Sequence, residues 1–333
     1  MLYEIRSLKH IDAESTEEAI FWLKEYGCRA RMIAGGTDLL GLIKDRVEAP
    51  EVLINIKPIP EMKRMVGDEE RGLRIGAAIP LSEIERSDLV RTKYPILAAA
   101  ARQVGTTQIR NMGTIGGNIL QRPQCMYFRN PDFACHKKGK SRCYAIAGEH
   151  RDYYSILEYG KCVMAHPSDM APALIALTAK AIIAGSNGER EIALEDLFLG
   201  PNDVRETSLR TDEILLGFRV PDPGSRNLQT FLKQRIRRSF DFALVNVAVA
   251  ARIEEQICRE IRIVMGGVAP FPYLKANVSE LIEGKRLTGD IALKAAEALV
   301  APARPLPMNR YKVDVAKNMV MRALASLSEE AGS

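Results

Sequence analysis

Four cysteines, Cys125, Cys135, Cys143 and Cys162, fall within one short stretch, separated in turn by nine, seven and eighteen residues. Thiolates are soft ligands, and such a cluster in a chain that carries no apparent export signal reads as metal binding, not as a disulfide framework. The gaps are not those of a zinc ribbon, which uses two close Cys-x-x-Cys pairs. They suit a loop wrapped round a larger object, such as a 4Fe–4S cluster held by four thiolates. Pro123, Pro131, Gly139 and Gly148 interrupt the stretch, as a loop requires. Arg122, Arg129, Lys137, Lys138, Lys140 and Arg142 are placed to offset a cluster's negative charge. Zinc stays open as an alternative, with His136 as a further ligand. Cys28 and Cys258 stand alone and read as small buried hydrophobes.

Two glycine runs offer a second chemistry. Ile33-Ala34-Gly35-Gly36-Thr37-Asp38-Leu39-Leu40 and Gly113-Thr114-Ile115-Gly116-Gly117-Asn118 each bring unshielded backbone to one place. A diphosphate is held by several N–H groups aimed at one point, and glycine permits both the close approach and the unusual dihedrals. Thr37 adds a hydroxyl, and Asp38 can fix the loop or a ribose. Neither run has the Gly-x-Gly-x-x-Gly spacing of a Rossmann nicotinamide site. No Ser-His-Asp or Cys-His nucleophile set is present. The residues therefore point to two redox cofactors on one chain.

The elements that must carry these groups follow from periodicity. Met1–Arg6 alternates and reads as a strand. A helix is expected over Asp12–Tyr26, capped at Ser15 or Thr16 and ended by Gly27. Arg31–Ile33 reads as a strand leading into the first glycine run, Asp38–Lys44 as a short helix, and Glu51–Ile56 as a strand stopped by Pro58 and Pro60. This makes a β-α-β-β-type unit. Further on, Leu73–Ala78 is a strand and turn, Leu81–Glu85 and Tyr94–Val104 are helices, and Thr114–Leu120 reads as extended. Met170–Thr178 is an apolar helix with Pro172 in its first turn. Strands are expected over Lys180–Ala184, Arg190–Leu194 and Glu213–Val220, the first two joined by a turn at Ser186-Asn187-Gly188. Pro221-Asp222-Pro223-Gly224-Ser225 is the clearest linker. After it come strands at Gln229–Gln234, Ala243–Arg252 and Glu260–Gly266, then helices at Val278–Ile282, Asp290–Ala301 and Lys312–Ser326. Strands followed by helices make an α+β domain.

The chain has 333 residues, enough for two or three domains with sizeable cores. An apolar fraction of 47% and a charged fraction of 27% are ordinary for a globular protein. No apolar run is long enough to span a membrane. The first residues, Met1-Leu2-Tyr3-Glu4-Ile5-Arg6, lack the apolar core of a signal peptide, so a cytoplasmic location is expected, or a periplasmic one if a signal-bearing partner carries the chain. The formal charge is +5, but no helix bears a basic stripe with interleaved aromatics, which speaks against nucleic acid.

The two glycine runs resemble the FAD-diphosphate loops of the FAD-binding medium subunit of the molybdenum hydroxylases. Lys233-Gln234-Arg235-Ile236-Arg237-Arg238-Ser239-Phe240-Asp241-Phe242-Ala243 resembles that family's strand with a flavin-side lysine, and Ser168-Asp169 its pair near the isoalloxazine and ribityl chain. The cysteine insertion is similar to the inserts of 4-hydroxybenzoyl-CoA reductase β subunits and bacterial aldehyde oxidoreductases. The resemblance implies an α+β fold: a two-subdomain FAD-binding domain of the vanillyl-alcohol-oxidase type, over 1–57 and 58–222 with a 4Fe–4S insert at about 121–165, then an α+β domain over 226–333 with a three-stranded antiparallel sheet. It implies FAD held by Ile33 to Leu40, Ala77, Thr114, Gly116, Gly117, Asn118, Asp169 and Lys233, and a 4Fe–4S cluster on Cys125, Cys135, Cys143 and Cys162. The substrate's catalytic residues would lie on another chain. The implied partners are a molybdenum-cofactor large subunit and a 2Fe–2S small subunit, as a heterotrimer or a dimer of heterotrimers, with ferredoxin, quinone or NAD as external carrier. A flavin oxidoreductase acting alone and a zinc-stabilised scaffold are the alternatives. Tyr127 and Phe128 are candidates to shield the cluster, and His166 to line either site or to serve structure alone.

Overall fold

The computed structural model describes residues 7–332 apart from 69, 70, 225, 226 and 238. The strand expected at Met1–Arg6, Ser225 of the linker and Arg238 lie outside the described residues.

Three parallel strands open the fold: β1 (Lys9–Asp12), β2 (Ala30–Ile33) and β3 (Val52–Asn55), in the order β1-β3-β2. Helix α1 (Thr16–Tyr26) joins β1 to β2, and α2 (Leu39–Lys44) precedes β3. The expected β-α-β-β unit is therefore β-α-β-α-β, because parallel neighbours need a crossover. Ser15 caps α1 by accepting from Glu18 N at 3.2 Å, while Ala19 and Leu23 bury its inner face. Gly27, at φ +52°, stops it.

The second unit is an antiparallel sheet of β4 (Met65–Asp68), β5 (Gly72–Gly76), β6 (Lys180–Gly185), β7 (Gly188–Ala193) and β8 (Ile214–Val220), ordered β4-β5-β8-β6-β7. Helices α3 (Leu81–Arg86), α4 (Asp88–Lys93), α5 (Pro95–Arg102), α6 (Thr107–Met112), α7 (Ile115–Ile119) and α8 (Met170–Ala176) fill the span between β5 and β6. The expected extended run at Thr114–Leu120 is helix instead. Thr114 caps α7 by accepting from Gly117 N at 3.2 Å, and Ile115 and Ile119, four apart, both turn into the core.

The third unit is a sheet of β9 (Asn227–Gln234), β10 (Val245–Glu254), β11 (Ile257–Gly266) and β12 (Tyr273–Leu274), covered by α9 (Gly289–Val300) and α10 (Tyr311–Gly332). The sheet has four strands, not three: the two-residue β12 pairs with Val264 and Met265 after a stretch broken by Pro270 and Pro272. Val278–Ile282 forms only a 3-10 turn, at Ala276–Leu281. Ala292, Ala295 and Ala296 on α9 and Ala316 and Ala323 on α10 are small enough to bring the two helices close together, with α10 lying over β9 and β10. Cys258 is buried as expected, whereas Cys28 is exposed and fills no core position.

Lys312 of α10 ties this unit to the cysteine stretch. Its buried ammonium donates to the carbonyls of Asp152 at 3.0 Å, Tyr154 at 2.8 Å and Gly267 at 2.6 Å. Methionine would fill the space, strand the Asp152 and Gly267 carbonyls and leave Tyr154 O only a long bond from Asn309 Nδ2, at 3.5 Å. Lys312→Met is expected to cost about 2–3 kcal/mol, since each buried group left unpaired costs about 1–3 kcal/mol and part of that relaxes. An unchanged urea midpoint would show that the ammonium contributes nothing net.

Candidate functional site

The first glycine run leaves β2 and turns at Gly36, whose φ of +69° lies in the left-handed region. Gly35 is glycine for a different reason: a Cβ there would stand 1.9 Å from the Met112 carbonyl, so this run packs directly on the second one. Within the described residues, no hydrogen bond uses the backbone N–H of Gly35, Gly36, Thr37 or Asp38. Asp38 fixes the loop by accepting from Arg122 N at 2.9 Å and Arg129 at 2.5 Å.

The second run differs. Ile115 N donates to Ile79 O, Gly116 N to Ala77 O, Gly117 N to Thr114 Oγ1 and Asn118 N to Thr114 O. Its amides are spent inside the protein, so two matching amide cradles do not exist. What this run offers is a bare surface. Gly116 packs on Ala77, and a Cβ on Gly117 would meet only Thr114 Oγ1, at 3.1 Å.

Between the runs lies a cleft in two chambers, of about 260 and 460 Å³. Thr37, Asp38, Thr114, Gly117 and Gln121 line both, so the chambers meet at the glycine runs. The smaller contains Ile33, Ala34, Gly35, Gly36, Leu39, Ala77 and Gly116, with Arg31 and Glu48 at its edge. The larger contains Asn118 and Asp169, and is closed by Tyr153, Arg237, Phe240, Asp241 and Phe242. Leu40 and Lys233 line neither chamber.

Lys233 stands behind Asp169. Its ammonium donates to Asp169 Oδ2 at 2.6 Å and to Gln103 O at 3.0 Å, and its side chain is 1% exposed. Asn246, its neighbour across β9 and β10, donates to Asp169 Oδ1 at 2.8 Å. Asp169 makes no capping bond to α8. Ser168 does, accepting from Ala171 N at 3.0 Å while donating to Asn118 Oδ1 at 2.6 Å.

All four cysteines of the insert line one narrow cavity of about 10 Å³, together with Phe128, His136 and Lys137. All four are free thiols. Cys143 is held down to about 6 by the neighbouring Cys162, which is pushed up in turn; burial raises Cys125. Tyr127 and Tyr144 line the cavity as a stacked pair, and Phe133 meets both edge to face from behind. No set of three or more His, Cys, Asp or Glu side chains among the described residues converges on a single metal ion. The basic residues are mostly engaged elsewhere. Arg122 pairs with Glu48 and Glu206, Arg129 with Asp38, and Lys137 and Lys138 donate to loop carbonyls. Among the described residues, buried His136 Nε2 has no hydrogen-bond partner. His166 is wholly buried against Phe198, and that burial lowers its pKa to about 4.

Residues 6–223 match the family model described as the FAD binding domain in molybdopterin dehydrogenase, and residues 230–327 the CO dehydrogenase flavoprotein C-terminal domain. The aldehyde oxidoreductase FAD-binding subunit PaoB of Escherichia coli is 34% identical over 91% of each chain. The carbon monoxide dehydrogenase medium chain of Hydrogenophaga pseudoflava is 29% identical over 93% of each chain. A solved structure of carbon monoxide dehydrogenase from that organism, lacking the Mo-pyranopterin moiety, superposes with a TM-score of 0.79 at 26% identity, covering 99% of both chains.

The chain belongs to the FAD-binding medium subunits of the molybdenum hydroxylases. It is accordingly an oxidoreductase component with FAD as its cofactor. The free amides of Gly35 to Asp38 and the Cβ-free surface of Gly117 fit a ligand that carries a diphosphate. For a medium subunit, the wall formed by Tyr153, Asp241 and Phe242 is the part that sequence motifs missed. Tyr153 donates to Asp241 Oδ1 at 2.5 Å, and Asp241 also pairs with Arg237. The two lie 88 residues apart, and only the Asp241-Phe242 end falls in a recognisable stretch. No helix among the described residues is long and apolar enough to cross a membrane.

Proposed function

We propose that this medium subunit holds both FAD and a 4Fe–4S cluster and conducts electrons between its partners and an external carrier. The observation that carries the cluster is that four free cysteines of one irregular stretch line one cavity beside an aromatic shell. The donor chemistry supports the reading, and the width of the cavity plays no part in it. Four thiolates are the ordinary ligand set of such a cluster. FAD, when bound, exchanges electrons in pairs or singly, so it joins two-electron to one-electron chemistry.

The chain's own residues would then do positioning work. Gly35 to Asp38 present N–H groups to the diphosphate, and Gly117 keeps the opposite side open. Asn118 and Asp169 face the larger chamber, where the isoalloxazine would lie. Lys233 serves the site through Asp169, and Tyr127 and Phe128 exclude water from the cysteines. The divisions 1–57, 58–222 and 226–333 are adopted as the working domains. The proposed partners are a large subunit carrying the molybdenum cofactor and a small subunit with 2Fe–2S clusters. Ferredoxin, quinone or NAD would accept or supply the electrons.

Metal and flavin analysis of the complex, purified without oxygen and with its partner subunits, tests this reading. Cys125→Ser is expected to lose about four irons per chain, the content of one such cluster, while FAD stays. Iron content equal to wild type would remove Cys125 as a ligand.

A further inference from the structure

Residues 152–155 run between Cys143 and Cys162 and pair back through the bridge between Tyr154 and Met164. Successive side chains of an extended segment point to opposite sides. Here the two sides are the two candidate cofactor sites. Tyr153 faces the cleft, where its hydroxyl donates to Asp241 and its ring meets Phe242 edge-on at 6.0 Å. Tyr154 faces the cysteines, and its buried hydroxyl donates to Cys125 Sγ at 3.6 Å.

The segment is fixed on several sides. Ser155 N donates to Val163 O at 2.9 Å, Asn309 to Ser155 O at 3.1 Å, and Lys312 to the carbonyls of Asp152 and Tyr154. Tyr154 also packs in the apolar group with Tyr127, Phe128 and Val163, where water cannot take over its role as donor.

We propose that the Tyr154 hydroxyl, by donating to Cys125 Sγ, raises the reduction potential of the cluster held there, and that the Tyr153–Tyr154 pair fixes the cysteine site relative to the flavin cleft. This rests on the four-cysteine reading above. Reduction adds negative charge to the sulfur cage, and a donor on a ligand sulfur favours the more negative state. Tyr154 is a positioning residue that acts through Cys125.

The test is a redox titration of the anaerobic complex, followed by the cluster's paramagnetic signal, with iron and FAD counted in each sample. Tyr154→Phe is expected to keep both cofactors. Its reduced-to-oxidised ratio at a fixed potential should fall about tenfold, a downward shift of about 59 mV for one electron. Tyr153→Phe should leave the cluster midpoint where it is. A midpoint unmoved in Tyr154→Phe, or moved equally by both variants, overturns the assignment. If Tyr154→Phe sheds its iron, site-specific replacement of Tyr154 by 3-fluorotyrosine keeps ring and hydroxyl while making the phenol a stronger donor. The midpoint should then rise, and a fall or no change overturns the proposal. Iron-free wild-type complex sinks the cluster reading itself, whereas iron-replete complex with unmoved midpoints sinks only the role of Tyr154.

Discussion

Gly117→Val is expected to empty the FAD cleft while the fold survives. Outside its own helix a Cβ at this position meets, among the described residues, only Thr114 Oγ1 at 3.1 Å, so the capping hydroxyl must give by a few tenths of an ångström while α7 keeps its place in the core. The rest of the valine enters the space where the two chambers join, because Gly117 lines both. A diphosphate passing there would lose its closest approach to the chain. Losing about 2.7 kcal/mol of binding weakens affinity a hundredfold, enough for flavin to be lost during purification. Flavin absorbance per chain, measured beside circular dichroism and the melting temperature, checks both halves of the expectation. Full occupancy would contradict the assignment of this loop. Gly35→Val provides the contrast. Its Cβ falls 1.9 Å from Met112 O, so the two glycine runs must separate, and flavin and thermal stability should fall together.

These two glycines mark how far local pattern reaches. Strand, glycine pair, threonine, aspartate and short helix were legible at Ile33–Lys44 because each depends on its near neighbours. The helix at α7 was not, because two adjacent glycines argue against a helix by propensity. The overriding signal, Ile115 and Ile119 on one face, spans a single turn. Partner choice was harder still. The sequence suggested that Arg122 and Arg129 serve the cysteines. Arg129 instead holds Asp38, 91 residues away, and so clamps the cysteine insert to the first glycine loop. Lys233 was recognisable by its motif, yet nothing local revealed Asp169, 64 residues earlier, as its partner. Residue type is written in the neighbourhood; the partner is written in the topology, here by the antiparallel pairing that sets Lys233 opposite Asn246.

That pairing leads to the other large effect. Asp169→Ala should destabilise the subunit by about 3–5 kcal/mol, the usual consequence of removing one member of a buried ion pair. The side chains of Lys233 and Asp169 are 1% and 4% exposed, so the ion pair is a buried one. Gln103 O would remain as the ammonium's sole acceptor among the described residues, and Asn246 Nδ2 would lose its acceptor altogether. The bond also joins the start of α8 to β9 and β10, so it fixes how the C-terminal sheet meets the larger chamber. Flavin binding should therefore weaken with stability. A double-mutant cycle separates pairing from packing. If the cost comes from an unpaired charge, Lys233→Met in the Asp169→Ala background restores much of the denaturation midpoint, because no buried cation is left unpaired. If the two losses simply add, the pair does not act as a unit. The loss in Asp169→Ala would then come from its own packing and its bond to Asn246, and Lys233→Met would rescue neither the midpoint nor the flavin content.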